Sequence, residues 1–446
     1  MGKQTWATWA QEQGIRFVRF TYCDNANLIR AKAVPAERLD ICVASGVGFS
    51  VAQQALPLMY DAVLPESGLG PVGEVWLMPD METLTVLPYA PGAAVVLGDF
   101  HTAEGRAWEH CPRTFLRRMS EEAAAAGLRV EASFETEFYL FRQMPEEYRP
   151  LDDTVFAQTL AFDLTHDVLL NLLDTLQRMG LEPQLFYPES GPGQFELTIR
   201  HAPALQAADR QVLFREVVRG VAARHHLVAS FAPKPLADKA GSGAHLHLSL
   251  WRQGQNALYD PADPLSLSEE GYWFIGGLLE HLPALCALTV PSVNSYRRIR
   301  PQFWAGAFTC YGQENREAAV RVITPRRGPE SMNFELKTCD ASANPYLALG
   351  AVIAAGLDGI RRRRHPGDPV EVDPASLSVE ERRRRGILPL PASLGDAIAA
   401  LQQDQVLWTA LGEPLGTSYL AVRRGEWLAL KDVSVEEEIR QHLMRY

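Results

Sequence analysis

Cysteine is scarce and scattered in this sequence: six in 446 residues, at 23, 42, 111, 286, 310 and 339, with no Cys-x-x-Cys pair and no regular spacing. That excludes a disulfide framework and leaves free thiols in a reducing, cytoplasmic setting as the expectation. Long apolar runs are also missing. The longest, Tyr346 to Leu357, is twelve residues and stops at Asp358, short of the ~20 residues that a membrane span needs. Met1 to Gly14 has no apolar signal core, and Trp6 stands where a myristoylated N-terminus has Ser or Thr. Basic residues are the minority, 43 against 54 acidic ones for a net charge of -11, so no overall field draws nucleic acid or anionic lipid. No GxxxxGK[ST] occurs, which excludes a P-loop, and no repeat recurs at periods of about 20–50 residues.

What remains is a globular chain, 47% hydrophobic and 22% charged, long enough for two or three domains at about 150 residues each. The first hundred residues read as short strands separated by Pro, Gly and Asn turns: Phe17 to Tyr22, Leu28 to Val34, Trp76 to Met78, Thr83 to Leu87 and Ala94 to Leu97. From Arg113 the pattern alternates. Helix Arg113–Ala126, with Gly127 as its C-cap signal, leads to strand Val130–Phe141. Helix Thr165–Met179 follows, then strands Glu182–Tyr187 and Gln194–Ile199, helix Ala208–His225 and strand His245–Trp251. The fold class is α+β, a small N-terminal domain at 12–103 and a larger one at 108–446. Two arginine runs, 361–364 and 382–385, read as solvated helix ends, with a phosphate or interface patch as the alternative.

Four stretches carry chemistry. In Phe134-Glu135-Thr136-Glu137-Phe138, strand alternation places both acids on one face. If the strand is buried they repel each other unless a cation lies between them; alone, the pattern also fits a solvated polar face. Glu189-Ser190-Gly191-Pro192-Gly193-Gln194-Phe195-Glu196 folds two more acids about a tight turn. Gly241-Ser242-Gly243-Ala244-His245-Leu246-His247-Leu248-Ser249 sets two imidazoles and a hydroxyl on one face, and Asn333-Phe334-Glu335-Leu336-Lys337 pairs an acid with a lysine. Five carboxylates and one or two histidines are hard donors, suited to Mg2+ or Mn2+. With Arg297, Arg298, Arg316 and Arg321 they describe a metal-dependent, phosphoryl-transferring nucleotide enzyme.

These motifs, with Lys234-Pro235, Asn294-Ser295-Tyr296-Arg297-Arg298, Asn315-Arg316, Arg321, Asn344-Pro345-Tyr346-Leu347 and Ala355-Gly356-Leu357-Asp358-Gly359-Ile360, resemble those of the glutamine synthetase family, in its order and spacing. The resemblance implies a β-grasp N-terminal domain and a catalytic domain. It also implies a homo-oligomer, commonly a dodecamer of two stacked hexameric rings, whose active sites lie between one subunit's N-terminal domain and its neighbour's catalytic domain. It implies a ligase that uses ATP and Mg2+ or Mn2+ to convert glutamate to γ-glutamyl phosphate, which a nitrogen nucleophile then attacks. Carried over by position, Glu137, Glu189 and Glu196 hold one ion and Glu135, His245 and Glu335 the other. His247 and Ser249 contact nucleotide, Arg316 and Arg321 meet phosphates, Arg298 holds the glutamate α-carboxylate, and Gly241 lies in the amino-acid loop.

The departures are as informative. Family members place an Asp after a Phe in the N-terminal domain and a Glu in a flap loop, both serving ammonium. Here Phe49-Ser50 and Phe303-Trp304 put Ser50 and Trp304 at those positions. Lys337 replaces an arginine beside the transferring carboxylate, Ala240 an asparagine, and Asn333 an arginine near the nucleotide. No tyrosine lies between Tyr346 and Tyr419 to serve adenylylation. Without two acids to hold a bare cation, the expected nucleophile is an organic amine and the product a γ-glutamyl amide. Ammonium-dependent glutamine synthesis and a catalytically silent, metabolite-sensing relative are the alternatives.

Overall fold

The computed structural model describes residues 5–144 and 147–446; Met1 and Gly2, which open the acylation pattern, lie outside them. The N-terminal domain is built on a sheet of six strands. Phe17–Cys23 lies between Ile29–Pro35, its antiparallel hairpin partner, and Ala93–His101, which runs parallel to it; Glu74–Pro79 and Val47–Ser50 continue the sheet, and Thr85–Val86 pairs with Ala93–His101. The expected strands at 17–22, 28–34, 76–78 and 94–97 are therefore present, the last extended to His101. The stretch 83–87 is mostly turn with a two-residue strand. Two seven-residue helices, Trp6–Glu12 and Leu39–Ser45, add to the β-rich reading. Each is fixed locally: Asp40 in the second accepts the backbone N–H groups of Trp6 and Ala7 at the start of the first.

The larger domain is organised by one long strand, Arg129–Gln143. It follows helix Pro112–Ala125, which ends as the sequence predicts. Gly127 takes φ +74°, and the amides of Gly127 and Leu128 donate to the carbonyls of Ala124 and Ala123, the two bonds of a glycine-terminated helix end. Strands Gln194–Ile199 and Ala244–Arg252 flank the long strand, and the sheet continues through Asn333–Leu336 and Val320–Ile323 on one side and Pro183–Pro188 on the other. The pleat sorts its two faces. Phe134, Thr136 and Phe138, like Leu246, Leu248 and Leu250, are buried in the main core. Helices Ala204–Arg224, Glu269–Thr289 and Pro345–Arg362 contribute to that same core, and the apolar run 346–357 lies inside the last of these. No helix among the described residues is long and apolar enough to cross a membrane. The six cysteines are all free.

Both arginine runs fall at helix C-termini, where cations meet the negative end of the helix dipole. Arg382 reaches back to the carbonyls of Pro374, Ala375 and Leu377 and lies over Phe308, so it ties the chain locally.

Arg113 joins the two domains. Its guanidinium donates to Asp80 and Asp99 at the N-terminal sheet (2.7 and 2.9 Å) and to Asp209 of helix Ala204–Arg224 (2.8 and 2.9 Å), with 4% of its side chain exposed. Removing one partner of a buried charge cluster strands the others, at about 3–5 kcal/mol. Arg113→Met is therefore expected to lower the melting temperature by about 5–10 °C, read by scanning calorimetry; a shift within error would show that the domains do not depend on this contact.

A second clamp is pH-sensitive. His281 of helix Glu269–Thr289 places Nδ1 2.6 Å from Asp404 and Nε2 3.1 Å from Asp358. Burial disfavours its cation, but the hydrogen bonds it donates to the two acids outweigh burial and raise its pKa. A raised native pKa means the clamp contributes fully below the unfolded value of about 6.5 and is lost as pH rises through the native one. His281→Gln should therefore melt below the parent at about pH 6, and the gap should narrow toward about pH 9; a gap independent of pH would contradict the charged clamp.

Candidate active site

The side chains singled out in the sequence meet because of strand register. Residues directly opposite in an antiparallel pair project to the same face. Glu135 lies opposite His245, Glu137 opposite Glu196, and Glu335 opposite both His247 and Arg321. Four strands thus gather acids and imidazoles on the face away from the helical core.

Glu135, His245 and Glu335 offer ligand atoms within 4.8 Å of one another, and this is the one such group among the described residues. His245 Nδ1 is 3.1 Å from Glu135 and 3.2 Å from Glu335. Glu137, Glu189 and Glu196 line a cavity of about 510 Å³ with Glu135 and His245 of that group, together with Arg298, Lys337, Gly241 and an aromatic edge of Phe156, Tyr187, Phe303 and Trp304.

The charge state of this cluster tests whether it fits divalent ions. Burial and then the charge of Glu189 push Glu137 up to about 7; burial and then the charges of Glu135 and Glu137 push Glu196 up to about 10. Glu189 is raised too, first by burial. Acids that strain against ionisation because of one another are what a divalent cation relieves. Burial and the neighbouring charge of Lys337 hold His245 down, near 4, which keeps its imidazole neutral and able to ligate. His247 differs: burial lowers its pKa, but the hydrogen bond and charge of Glu135 outweigh burial and raise it to about 9. Glu335 feels burial, then the opposing pull of Lys337, His245 and His247, which brings it down to about 2. Hard oxygens and a neutral imidazole in one cavity fit Mg2+ or Mn2+.

Neighbours that the sequence did not flag orient these groups. Tyr187 donates its hydroxyl to Glu196 (2.6 Å), and Gln194 bridges Glu137 (3.0 Å) to the carbonyl of Gly241 (2.9 Å). Gln194 sits inside a motif already quoted, and Tyr187 is opposite Glu196 in register, so strand pairing was the signal that could have found it. Gly241 packs so closely that a Cβ there would come within 2.6 Å of Arg298 Cγ and 2.7 Å of the Pro233 carbonyl. Arg298 is buried, with Nη2 on the carbonyls of Lys337 and Cys339, and its buried Nε has no hydrogen-bond partner among the described residues.

Glu135 is also on the wall of a second cavity, of about 480 Å³, with His247, Ser249, Asn333 and Arg327. A third, about 580 Å³, holds Arg316, Arg321, Arg326 and Arg327. The second and third share Arg327, Ser331 and Asn333, and the third and first share Arg316, so the three adjoin.

Four expected residues behave differently. Arg297, grouped by sequence with the phosphate arginines, is turned onto Glu438 in a two-pronged pair (2.8 and 2.6 Å) and lines none of these cavities; it anchors the C-terminal helix Val435–Leu443. Lys337 is spent on Glu335 at 2.7 Å, and Arg321 is shared between Glu314 and Glu335. Ser50 ends a strand of the N-terminal sheet, opposite Glu74, and lies outside the three cavities.

Comparison with known proteins matches residues 4–108 to the model described as "Glutamine synthetase N-terminal domain" and residues 109–442 to "Glutamine synthetase, catalytic domain". The chain is 39% identical over 421 residues to the "Gamma-glutamylpolyamine synthetase GlnA3" of Streptomyces coelicolor, covering 93% of this chain and 90% of that one. It is 35% identical over 452 residues to the "Glutamine synthetase" of Halobacterium salinarum, covering 98% and 95%. Among solved structures it is similar to a "GmaS/ADP complex", with TM-score 0.86, 33% identity, and 98% and 99% of the two chains covered.

Proposed function

The chain belongs to the glutamine synthetase family, and from that premise we propose that it is an ATP-dependent ligase joining the γ-carboxylate of glutamate to an organic amine. A carboxylate offers only a poor leaving group; phosphorylating it first gives the incoming nitrogen a good one, and one hard step becomes two. Two divalent ions, Mg2+ or Mn2+, would supply the positive charge that lets phosphate oxygens approach this acid cluster.

Glu135, His245 and Glu335 would hold one ion; Glu137, Glu189 and Glu196, with Tyr187 and Gln194 fixing two of them, would hold the other. His247 and Ser249 face the nucleotide cavity, and Arg316 and Arg321 stand by the cleft that suits its phosphates. Arg298 lines the cavity beside Gly241, whose bare backbone would let the glutamate α-carboxylate lie close. Lys337, a point charge without a guanidinium's planar fork, neutralises the neighbouring carboxylate without clamping it in two places.

The acceptor side carries the choice of nucleophile. Phe156, Phe303 and Trp304 edge the cavity where an acid would be needed to hold ammonium. Glu317, beside that loop, has both oxygens engaged by backbone amides. Aromatic walls attract either cation, but only an alkyl amine also gains from burying apolar surface against them. The Streptomyces relative, by its name a γ-glutamylpolyamine synthetase, supports the same choice. Ser50, which does not line this cavity in its own chain, fits a homo-oligomer of stacked hexameric rings in which each N-terminal domain completes the next subunit's site.

The observation that carries the reading is the gathering, over one sheet face, of five carboxylates and an imidazole with a buried arginine and an aromatic edge. Phosphate release from ATP, with glutamate, Mg2+ and a panel of amines against ammonium, tests it. The best amine is expected to exceed ammonium by about tenfold or more in kcat/KM. Ammonium as best acceptor would point to ordinary glutamine synthesis, and no stimulation by any nitrogen donor would favour a silent, sensing relative.

A further inference from the structure

The loop that carries Trp304 is held in a conformation its own residues disfavour. Gln302 has φ +64° and Trp304 φ +53°, the left-handed region where a bulky side chain is strained. Such a backbone persists only where its surroundings over-determine it. Here the backbone of both strained residues is held by one carboxylate, while Asp373, Lys234 and Arg316 meet the side chains of Gln302, Phe303 and Trp304. Glu317 accepts the N–H of Gln302 on Oε2 (3.1 Å) and the N–H of Trp304 on Oε1 (2.9 Å), one oxygen for each strained residue.

Glu317 is itself fixed. Its backbone N–H donates to Asn315 Oδ1 (3.0 Å), and Asn315 Nδ2 donates to the carbonyls of Val370 and Val372 (2.7 and 3.0 Å). The residue before it, Arg316, places its guanidinium 5.6 Å from the centre of the Trp304 ring. Residues 316 and 317 thus grip the loop from both sides, one by its ring and the other by its backbone. Without the carboxylate the two amides would turn to water, and the left-handed pair would relax and carry the indole away.

We propose that Glu317 is a positioning residue: it holds the Trp304 loop in its strained form, so that the amine meets a preset indole wall at the mouth of the cavity. The inference rests on the amine-ligase reading for what the wall receives, and on geometry alone for the clamp.

The test uses the full-length protein and its Glu317→Ala and Glu317→Gln variants, with hydrogen–deuterium exchange over residues 300–306 and kinetics with the best amine of the panel. In Glu317→Ala the amides of Gln302 and Trp304 should exchange about tenfold faster. The amine KM should rise about tenfold, while the ATP KM and the melting temperature hold, which a general structural role would not produce. Glu317→Gln keeps one accepting oxygen and should fall between. Unchanged exchange in Glu317→Ala overturns the clamp, and so does faster exchange with an unaltered amine KM. The parent separates this failure from that of the ligase reading: a parent that prefers ammonium refutes the amine, whereas a parent that prefers an amine beside an indifferent Glu317→Ala refutes the clamp.

Discussion

Replacing Glu137 by Gln is expected to cut ATP-dependent product formation by about 10²–10³-fold and, in the presence of a chelator, to raise the melting temperature. The two effects share one cause. Glu137 is buried beside Glu189 and opposite Glu196, and burial together with that repulsion lifts its pKa to about 7. Glutamine keeps the shape, and its oxygen can still accept from Gln194 and the Gly243 amide, as Glu137 does now at 3.0 and 3.1 Å. It loses only the charge. Without ions that charge is a burden of about 1–3 kcal/mol; with ions it is a ligand, and losing it withdraws electrostatic stabilisation from the transferring phosphate. Melting the parent and Glu137→Gln in chelator and in excess Mg2+ reads both signs, with Mg2+ stabilising the parent more than the variant. A variant less stable in chelator, or as active as the parent, would show that Glu137 does not hold a cation.

The second large effect is expected at Arg298. Its buried Nε is unpartnered, it packs on Gly241, and its Nη2 is tied to two backbone carbonyls, so the guanidinium is set in place before any substrate arrives. A charge-assisted bond to a carboxylate is worth about 1.5–3 kcal/mol, so Arg298→Ala should raise the glutamate KM by about 10–150-fold while the ATP KM stays near the parent value. Arg298→Lys should recover a minor part, because a point charge cannot fork onto a carboxylate. Equal losses for both substrates would instead indicate that Arg298 supports the fold around Lys337 and Cys339.

Period-2 alternation was enough to foresee the faces of strands 129–143 and 244–252, because a strand's side chains can only alternate. Glu135, Glu137 and His245 therefore point where the sequence placed them, and Phe134 and Phe138 are core. Which residues become neighbours across strands was not legible. That depends on register, which long-range pairing sets: Tyr187 beside Glu196, and Lys337 drawn onto Glu335, are consequences of pairing. Arg297 shows the same limit. By residue chemistry alone it is indistinguishable from Arg298, which only the family resemblance singled out, yet one residue along a short helix turns it away, onto Glu438.

In the N-terminal domain the helices at 6–12 and 39–45 are too short for a periodic pattern to stand out. The second contains β-branched Ile41 and Val43, which favour strands by propensity. The four-residue strand 47–50 is marked only by its pairing with 74–77. The role of Glu317 was invisible for a related reason: nothing in Asn-Arg-Glu announces a carboxylate shared by two strained amides thirteen and fifteen residues upstream.

The most direct test lets the nitrogen donors compete. The enzyme, ATP, Mg2+ and isotope-labelled glutamate are incubated with ammonium and an equimolar set of alkyl amines and polyamines, and the labelled products are weighed by mass spectrometry. A γ-glutamyl amide of one amine should hold most of the label, with glutamine a minor product. Glutamine as the dominant labelled product would contradict the assignment of Trp304 and its aromatic neighbours to an organic amine.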